Sequence, residues 1–173
     1  MQPSSTELIL IRVTGEDRPG LTSSVTEILA KYDATILDIG QADIHNTLSL
    51  GILFKSEERH SGFIMKELLF KASSLGVTIR FEPITTEQYD NWVGMQGKNR
   101  YILTVLGRKL SARQISAATS VLAEQGMNID AIKRLTGRIP LDECDTDART
   151  RACIEFSVRG TPKDRIAMQE SLM

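Results

Sequence analysis

Apolar positions along the 173-residue chain switch between continuous runs, alternation and helical spacing, and each switch marks a predicted element. Glu7 to Val13 is dominated by β-branched and aliphatic residues and precedes Gly15 and the turn-forming Asp17-Arg18-Pro19-Gly20, which predicts a buried strand and a tight loop. From Leu21 the period becomes helical: Leu21, Val25, Ile28 and Leu29 share one face, Ser23, Ser24, Glu27 and Lys31 lie opposite, and the helix ends near Asp33. Thr35 to Ile44 reads as a second strand. Thr47 to Phe54 reads as a third in which Leu48, Leu50, Ile52 and Phe54 alternate, with His45-Asn46 as the hairpin turn between them. The charged segment Glu57 to His60 is expected as a loop. Ile64, Leu68, Ala72 and Leu75 restore the helical period, Gly76 stands where a C-cap belongs, and Val77, Ile79 and Phe81 alternate in a fourth strand. The order is βαββαβ.

After the polar stretch Thr85 to Lys98 the pattern restarts. Tyr101 to Leu106 is a strand, Gly107 falls where Gly15 fell, Ile115, Ala118 and Leu122 line a helix that ends at Gly126, and Gly126-Met127-Asn128-Ile129 takes the place of Asp33-Ala34-Thr35-Ile36. Internal duplication explains this most economically. A strand follows from Ile129 to about Leu135, then a long loop through Pro140 and the acidic Asp142 to Asp147, then an alternating strand with Ala152, Ile154, Phe156 and Val158. Thr161-Pro162 is expected to start a helix, with Ile166, Met168 and Leu172 supplying part of its apolar face. Met173 falls inside that helix. A fourth strand is absent from the second set, which leaves a row of unpaired backbone groups, and the expectation is the N-terminal part of a longer chain.

The fold class read from this order is α+β, with two ferredoxin-like βαββαβ domains. Each pairs an antiparallel sheet with two helices on one face, and the second lacks its last strand. The domain reading is 1–86 for the first, 87–98 for a linker and 99–173 for the second. The open face of such a sheet must find a partner or water.

With 41% apolar and 25% charged residues the composition is that of a globular protein, and the formal net charge of -1 supplies no long-range attraction for nucleic acid or acidic lipid. Neither nucleic-acid binding nor membrane binding is expected. Cys144 and Cys153 fit no metal spacing and no disulfide framework, and no signal-peptide or bilayer-spanning run is visible, so the cytoplasm is the expected compartment. His45 is read as a solvated hairpin-tip residue, and His60 has no carboxylate or cysteine at ligand spacing. Cys153 is read as a half-buried thiol, and no metal is assigned. Arg108, Lys109, Arg113, Lys133, Arg134 and Arg138 form one basic cluster, taken as a solvated face.

The phrase Gly15-Glu16-Asp17-Arg18-Pro19-Gly20-Leu21, with the helix after it, resembles the ACT domain, an amino-acid-sensing module whose first loop often reads asp-arg-pro-gly. The stretches Leu106 to Ile115 and Asn128 to Leu141 resemble the second ACT domain of the two-ACT bacterial phosphoserine phosphatases. That family resemblance implies a following catalytic domain of the haloacid-dehalogenase type, with magnesium as its cofactor, and a role in L-serine biosynthesis. Asp145-Thr146-Asp147-Ala148-Arg149 carries arginine where that family's nucleophile motif has threonine or valine, so it is read as a solvated acidic loop. No catalytic residue and no cofactor are assigned to residues 1–173, and no phosphatase activity is expected of them alone.

The loop Asp17 to Gly20 leads into a helix N-terminus, where free backbone N–H groups and the helix dipole can receive a carboxylate and Gly20 offers no obstruction. The alternative is that Asp17 caps the helix and Pro19-Gly20 merely turn the chain. In ACT pairs the ligand lies between this loop and the start of the neighbouring domain's second strand. The resemblance therefore implies an amino-acid site of Asp17, Arg18, Pro19, Gly20, Asn128 and Ile129, with Asp38 a weaker candidate for the ammonium. A poorer pseudo-symmetric site would use Gly107, Arg108, Thr35 and Ile36. The implied function is a regulatory, dimerising region that senses serine or glycine for a phosphoserine phosphatase. Two other readings stand beside it: a freestanding two-ACT regulator acting on a transcription factor, of the glycine-cleavage-repressor type, and a purely structural dimerisation module.

Overall fold

The computed structural model describes residues 5–97, 99–108, 110–137 and 151–173, and the chain divides into two compact units, Met1–Gly94 and Met95–Met173. The first contains β1 (Thr6–Glu16), α1 (Leu21–Lys31), β2 (Thr35–Ile44), β3 (Thr47–Glu57), α2 (Glu58–Leu75) and β4 (Thr78–Ile84). Its antiparallel sheet has the order β2-β3-β1-β4. Ile9, Ile11 and Val13 of β1 and Leu48, Leu50, Ile52 and Phe54 of β3 all point to the same side. There they pack with Leu21, Val25 and Leu29 of α1 and Ile64 and Leu68 of α2. Both helices thus cover one face, as the alternation requires.

The second unit repeats the plan with β5 (Arg100–Gly107), α4 (Ala112–Glu124), β6 (Asn128–Arg134), β7 (Ala152–Arg159) and α5 (Arg165–Leu172). Its described sheet has three strands in the order β5-β7-β6, and its core is Leu122, Met127, Phe156, Val158 and Met168. The duplication extends to irregularities. The register shifts between Ile36 and Asp38 in β2 and between Ile129 and Ala131 in β6, at matching places. Asp33 (φ 52) and Gly126 (φ 72) both take left-handed backbone after their helices, followed by Ala34 N–H to Leu29 O at 3.1 Å and Met127 N–H to Leu122 O at 2.9 Å.

Two expectations are corrected. The charged segment Glu57 to His60 is not a loop. Glu57 occupies the N-cap position of α2, and Glu58, Arg59 and His60 form its first turn. Charge there signalled exposure, and carboxylates are favoured beside the positive end of a helix. Nor does α5 begin at Thr161-Pro162. It begins at Arg165, because the Asp164 carboxylate accepts from the N–H groups of Ile166 (2.9 Å) and Ala167 (3.0 Å) and caps the helix there. In that phase Met168 is buried and Leu172 packs on the core, but Ile166 is 69% exposed.

The stretch read as a linker is largely α3 (Thr86–Gln96), and the division between the units falls within it. It starts at a reciprocal box of Thr85 and Gln88. Gln88 N–H donates to the Thr85 hydroxyl at 3.1 Å, and Thr85 N–H donates to the Gln88 side-chain oxygen at 2.9 Å. Ser111 and Gln114 close the same reciprocal box on α4, at 3.2 and 2.9 Å. Ser111→Ala is therefore expected to cost about 1 kcal/mol of stability, measured by urea unfolding; a loss under about 0.3 kcal/mol would mean water replaces the cap without penalty.

Candidate functional site

The hydrophobic run of β1 ends at Glu16, and the chain must turn at once to place Leu21 in the core. Asp17 N–H donates to Asn46 O at 2.8 Å, which pins the loop to the β2–β3 turn, where His45 (φ 52) and Asn46 (φ 58) are both left-handed. Leu21 N–H returns to Arg18 O at 3.2 Å and Ser24 N–H to Gly20 O at 2.9 Å. Gly20 sits at the N-cap position with φ 87, a conformation other residues adopt only with strain, and no side chain caps α1. Asp17 is thus not the helix cap. No acidic residue stands in the first turn either, and the N–H groups of Thr22 and Ser23 have no partner among the described residues. The positive end of α1 keeps its donors, and a Cβ added at Gly20 would meet nothing within 4 Å. The space before the helix is open.

The other predicted residues stand at homologous places. Arg18 is exposed, with its guanidinium on Glu16 at 2.8 Å. Thr35 and Ile36 open β2, and the Asp38 carboxylate accepts from Ile39 N–H at 3.0 Å. Gly107 closes β5, Arg108 follows it, and Asn128 and Ile129 open β6. Asn128 is not idle: its amide NH2 donates to Asp130 at 2.8 Å, and Asp130 in turn pairs with Arg159 at 3.0 Å. Among the described residues the Asn128 side-chain oxygen accepts no hydrogen bond. Asp17, Arg18, Pro19 and Gly20 belong to the first unit and Asn128 and Ile129 to the second; likewise Thr35 and Ile36 belong to the first, and Gly107 and Arg108 to the second.

Sequence reasoning missed an open groove between α1 and α2, of about 570 Å³, lined in part by Ser24, Lys31, Glu67 and Phe70. The Glu67 carboxylate accepts from both the Lys31 ammonium and the Tyr32 hydroxyl. The hydrogen bond from Lys31, then that from Tyr32, holds the Glu67 carboxyl below its ordinary value. The bonds to Glu67 raise Lys31 and Tyr32 in turn. His60 lies with its ring 5.7 Å from that of Tyr32 and is part of α2, not of a loop. Residues this distant in sequence leave no local signal. No predicted site residue lines the groove.

Among the described residues no three His, Cys, Asp or Glu side chains converge. Cys153 is a free, half-buried thiol. Of the basic cluster, Arg134 is engaged at the end of β6, donating to Thr136 at 3.3 Å and to Gly137 O at 3.2 Å. Lys109, Arg138 and the acidic loop with Cys144, Asp145 and Asp147 lie outside the described residues. No helix of the described residues is long and apolar enough to cross a membrane.

Residues 7–82 match a family model described as an ACT domain, and residues 100–142 match a second model of the same description. Phosphoserine phosphatase SerB2 of Mycobacterium tuberculosis is 30% identical over 129 residues, which is 74% of this chain and 31% of that protein. The phosphoserine phosphatase of Streptomyces coelicolor is 31% identical over 160 residues, 92% of this chain and 35% of that protein. The chain thus spans about a third of the length of these curated relatives. Among solved structures, an unknown protein from Galdieria sulphuraria superposes with a TM-score of 0.68 at 21% identity, covering 97% of this chain and 88% of its own. A protein described as a glycine cleavage system transcriptional repressor does so with 0.64 at 14% identity, covering 95% and 87%. At such identities these two show the fold alone.

Proposed function

Starting from a chain that belongs to the ACT-domain family, with one such domain in each unit, we propose that it is the amino-acid-sensing region of a phosphoserine phosphatase and takes L-serine or glycine at the β1–α1 loop. The observation that carries this reading is the N-terminus of α1. Gly20 in left-handed backbone, an uncapped first turn and the free N–H groups of Thr22 and Ser23 form a receptor for a carboxylate. Many helices spend those donors on a Ser, Thr, Asp or Asn cap, as α4 and α5 do here; α2 also lacks a side-chain cap but carries Glu58 in its first turn, where α1 has no acidic residue. Asp17, Arg18 and Pro19 set the loop. Asn128 and Ile129 of a neighbouring domain supply the ammonium side, and Gly107 and Arg108 with Thr35 and Ile36 make the weaker counterpart. The phosphatase assignment draws on the two curated relatives near 30% identity, which favour it over a freestanding regulator of a transcription factor.

In this reading residues 1–173 hold no catalytic group. Hydrolysis and its magnesium belong to a domain of the relatives' type, and the setting is cytoplasmic serine synthesis. Ligand occupancy would act by binding one arrangement of the domains more tightly than another, because a ligand shifts an equilibrium only by its differential affinity.

The test is calorimetric titration of the 173-residue chain with L-serine, glycine and phosphoserine, repeated on Gly20→Trp. Saturable binding of serine or glycine, weakened at least about tenfold by the substitution while the circular dichroism spectrum is kept, is the expected result. No heat from any of the three with a folded protein, or binding indifferent to Gly20→Trp, would sink the assignment and favour a purely structural module.

A further inference from the structure

The face of the first sheet turned away from α1 and α2 carries a row that crosses all four strands. Successive pairings place Gly40 of β2 opposite Gly51 of β3, Gly51 opposite Arg12 of β1, and Arg12 opposite Arg80 of β4. Directly opposed side chains share a face with their Cβ atoms about 5 Å apart, so two guanidinium stems start side by side, and like charges so placed cost stability. One acid answers them. Glu82, two residues along β4, holds the Arg12 guanidinium at 2.7 Å, while Arg80 is exposed and has no side-chain partner among the described residues.

The other half of the row is bare. Neither Gly40 nor Gly51 has the left-handed backbone that would require glycine. A Cβ at Gly40 would meet nothing within 4 Å, and one at Gly51 would come no closer than 4.0 Å, to Gly40 O. Neither backbone geometry nor packing therefore explains two glycines paired inside a sheet, where they weaken the strands and forgo a cross-strand contact; glycine in a strand also serves where a ligand approaches the backbone closely. The pair Leu10 and Leu53 borders the bare strip on one side, and Thr14 and Ser49 border it on the other.

We propose that this row binds a small planar phosphate ester, an aryl or heterocyclic ring carrying one phosphate. The ring lies flat on the peptide groups of Gly40 and Gly51, and the phosphate sits at Arg12 and Arg80. A phosphate dianion has the charge and the oxygens to bridge two guanidiniums, whereas a single guanidinium already satisfies a carboxylate through two parallel bonds. Asp38, opposite Leu53 at the β2 end, repels an anion there and so sets the direction of the ligand. The inference stands on strand register and charge and is independent of the amino-acid reading.

An amide NMR titration of the whole 173-residue chain with phenyl phosphate and with inorganic phosphate, each to about 10 mM, tests it. Phenyl phosphate is expected to saturate with a Kd below about 1 mM, at least about tenfold tighter than inorganic phosphate, with its ring shifting the Gly40 and Gly51 amides most. Arg80→Gln should weaken it at least about tenfold while the melting temperature holds or rises, because an opposed like charge is gone. Gly40→Val, which has room for its side chain, should remove the advantage of phenyl phosphate and leave inorganic phosphate unchanged. Gly20→Trp should alter neither, which separates this row from the loop before α1. No saturable shift, shifts centred away from the row, equal affinity for the two anions, or phenyl phosphate binding indifferent to Arg80→Gln or to Gly40→Val would each overturn the proposal.

Discussion

Phe156→Ala is expected to lower the stability of the second unit by about 3–5 kcal/mol, the cost of removing a buried aromatic ring and leaving its cavity. Phe156 is wholly buried on β7, the central strand of a three-stranded sheet. Among the described residues its fully buried companions are Leu122, Met127, Val158 and Met168, with Tyr101, Leu103, Ile115 and Ile154 among those packed around them, and close packing lets such a void collapse only in part. Against a domain stability of about 5–15 kcal/mol the loss should abolish or sharply lower one of two melting transitions and leave the other near its place. Ile132→Ala, on the neighbouring strand but 53% exposed, is the control and should shift that transition far less. Calorimetric scans of the three proteins decide the matter. A single transition displaced as a whole would show that the units unfold together, and a Phe156→Ala protein melting like the parent would refute the assigned core.

The next largest effect is expected at a glycine that needs space and not backbone freedom. A Cβ on Gly15 would lie 2.6 Å from Cγ1 and 3.2 Å from Cα of Val77, the residue just before β4. The second contact is backbone, which cannot swing aside as a side chain can. Gly15→Val is expected to destabilise the first unit by about 1–3 kcal/mol through overpacking, read as an earlier midpoint in urea. Gly40→Val is the matched control, since a Cβ at Gly40 on edge strand β2 meets nothing within 4 Å. Equal midpoints for the two variants would show that β1 and Val77 separate freely and that the close approach has no energetic weight.

These two residues show how legible the chain was. Phe156 could be assigned to the core from alternation alone, because its neighbours in the pattern, Ala152, Ile154 and Val158, all turn inward or half inward. Gly15 could be aligned with Gly107 by the repeat, but its contact with Val77 joins residues from opposite ends of one domain. Charged segments misled most: Glu57 to His60 reads as a loop, yet a helix N-terminus favours such residues. Thr161-Pro162 misled for a related reason, since a capping carboxylate at Asp164 fixes the start of α5 more strongly than a well-placed proline. The candidate site divides in the same way. Its loop was visible in Asp17-Arg18-Pro19-Gly20, but the unspent N–H groups of Thr22 and Ser23 were not, because sequence alone left Asp17 as a possible cap.

By itself the sequence determined the α+β class, the doubled element order, both apolar cores and the phrases that mark two ACT domains, because burial imprints a period of two or of about 3.6 on neighbouring residues. Only the tertiary structure decided what long-range pairing controls. It set the meeting of Lys31, Tyr32 and Glu67 across two helices and the fit of Gly15 against Val77. Those contacts join residues far apart along the chain, and nothing in a local pattern records them.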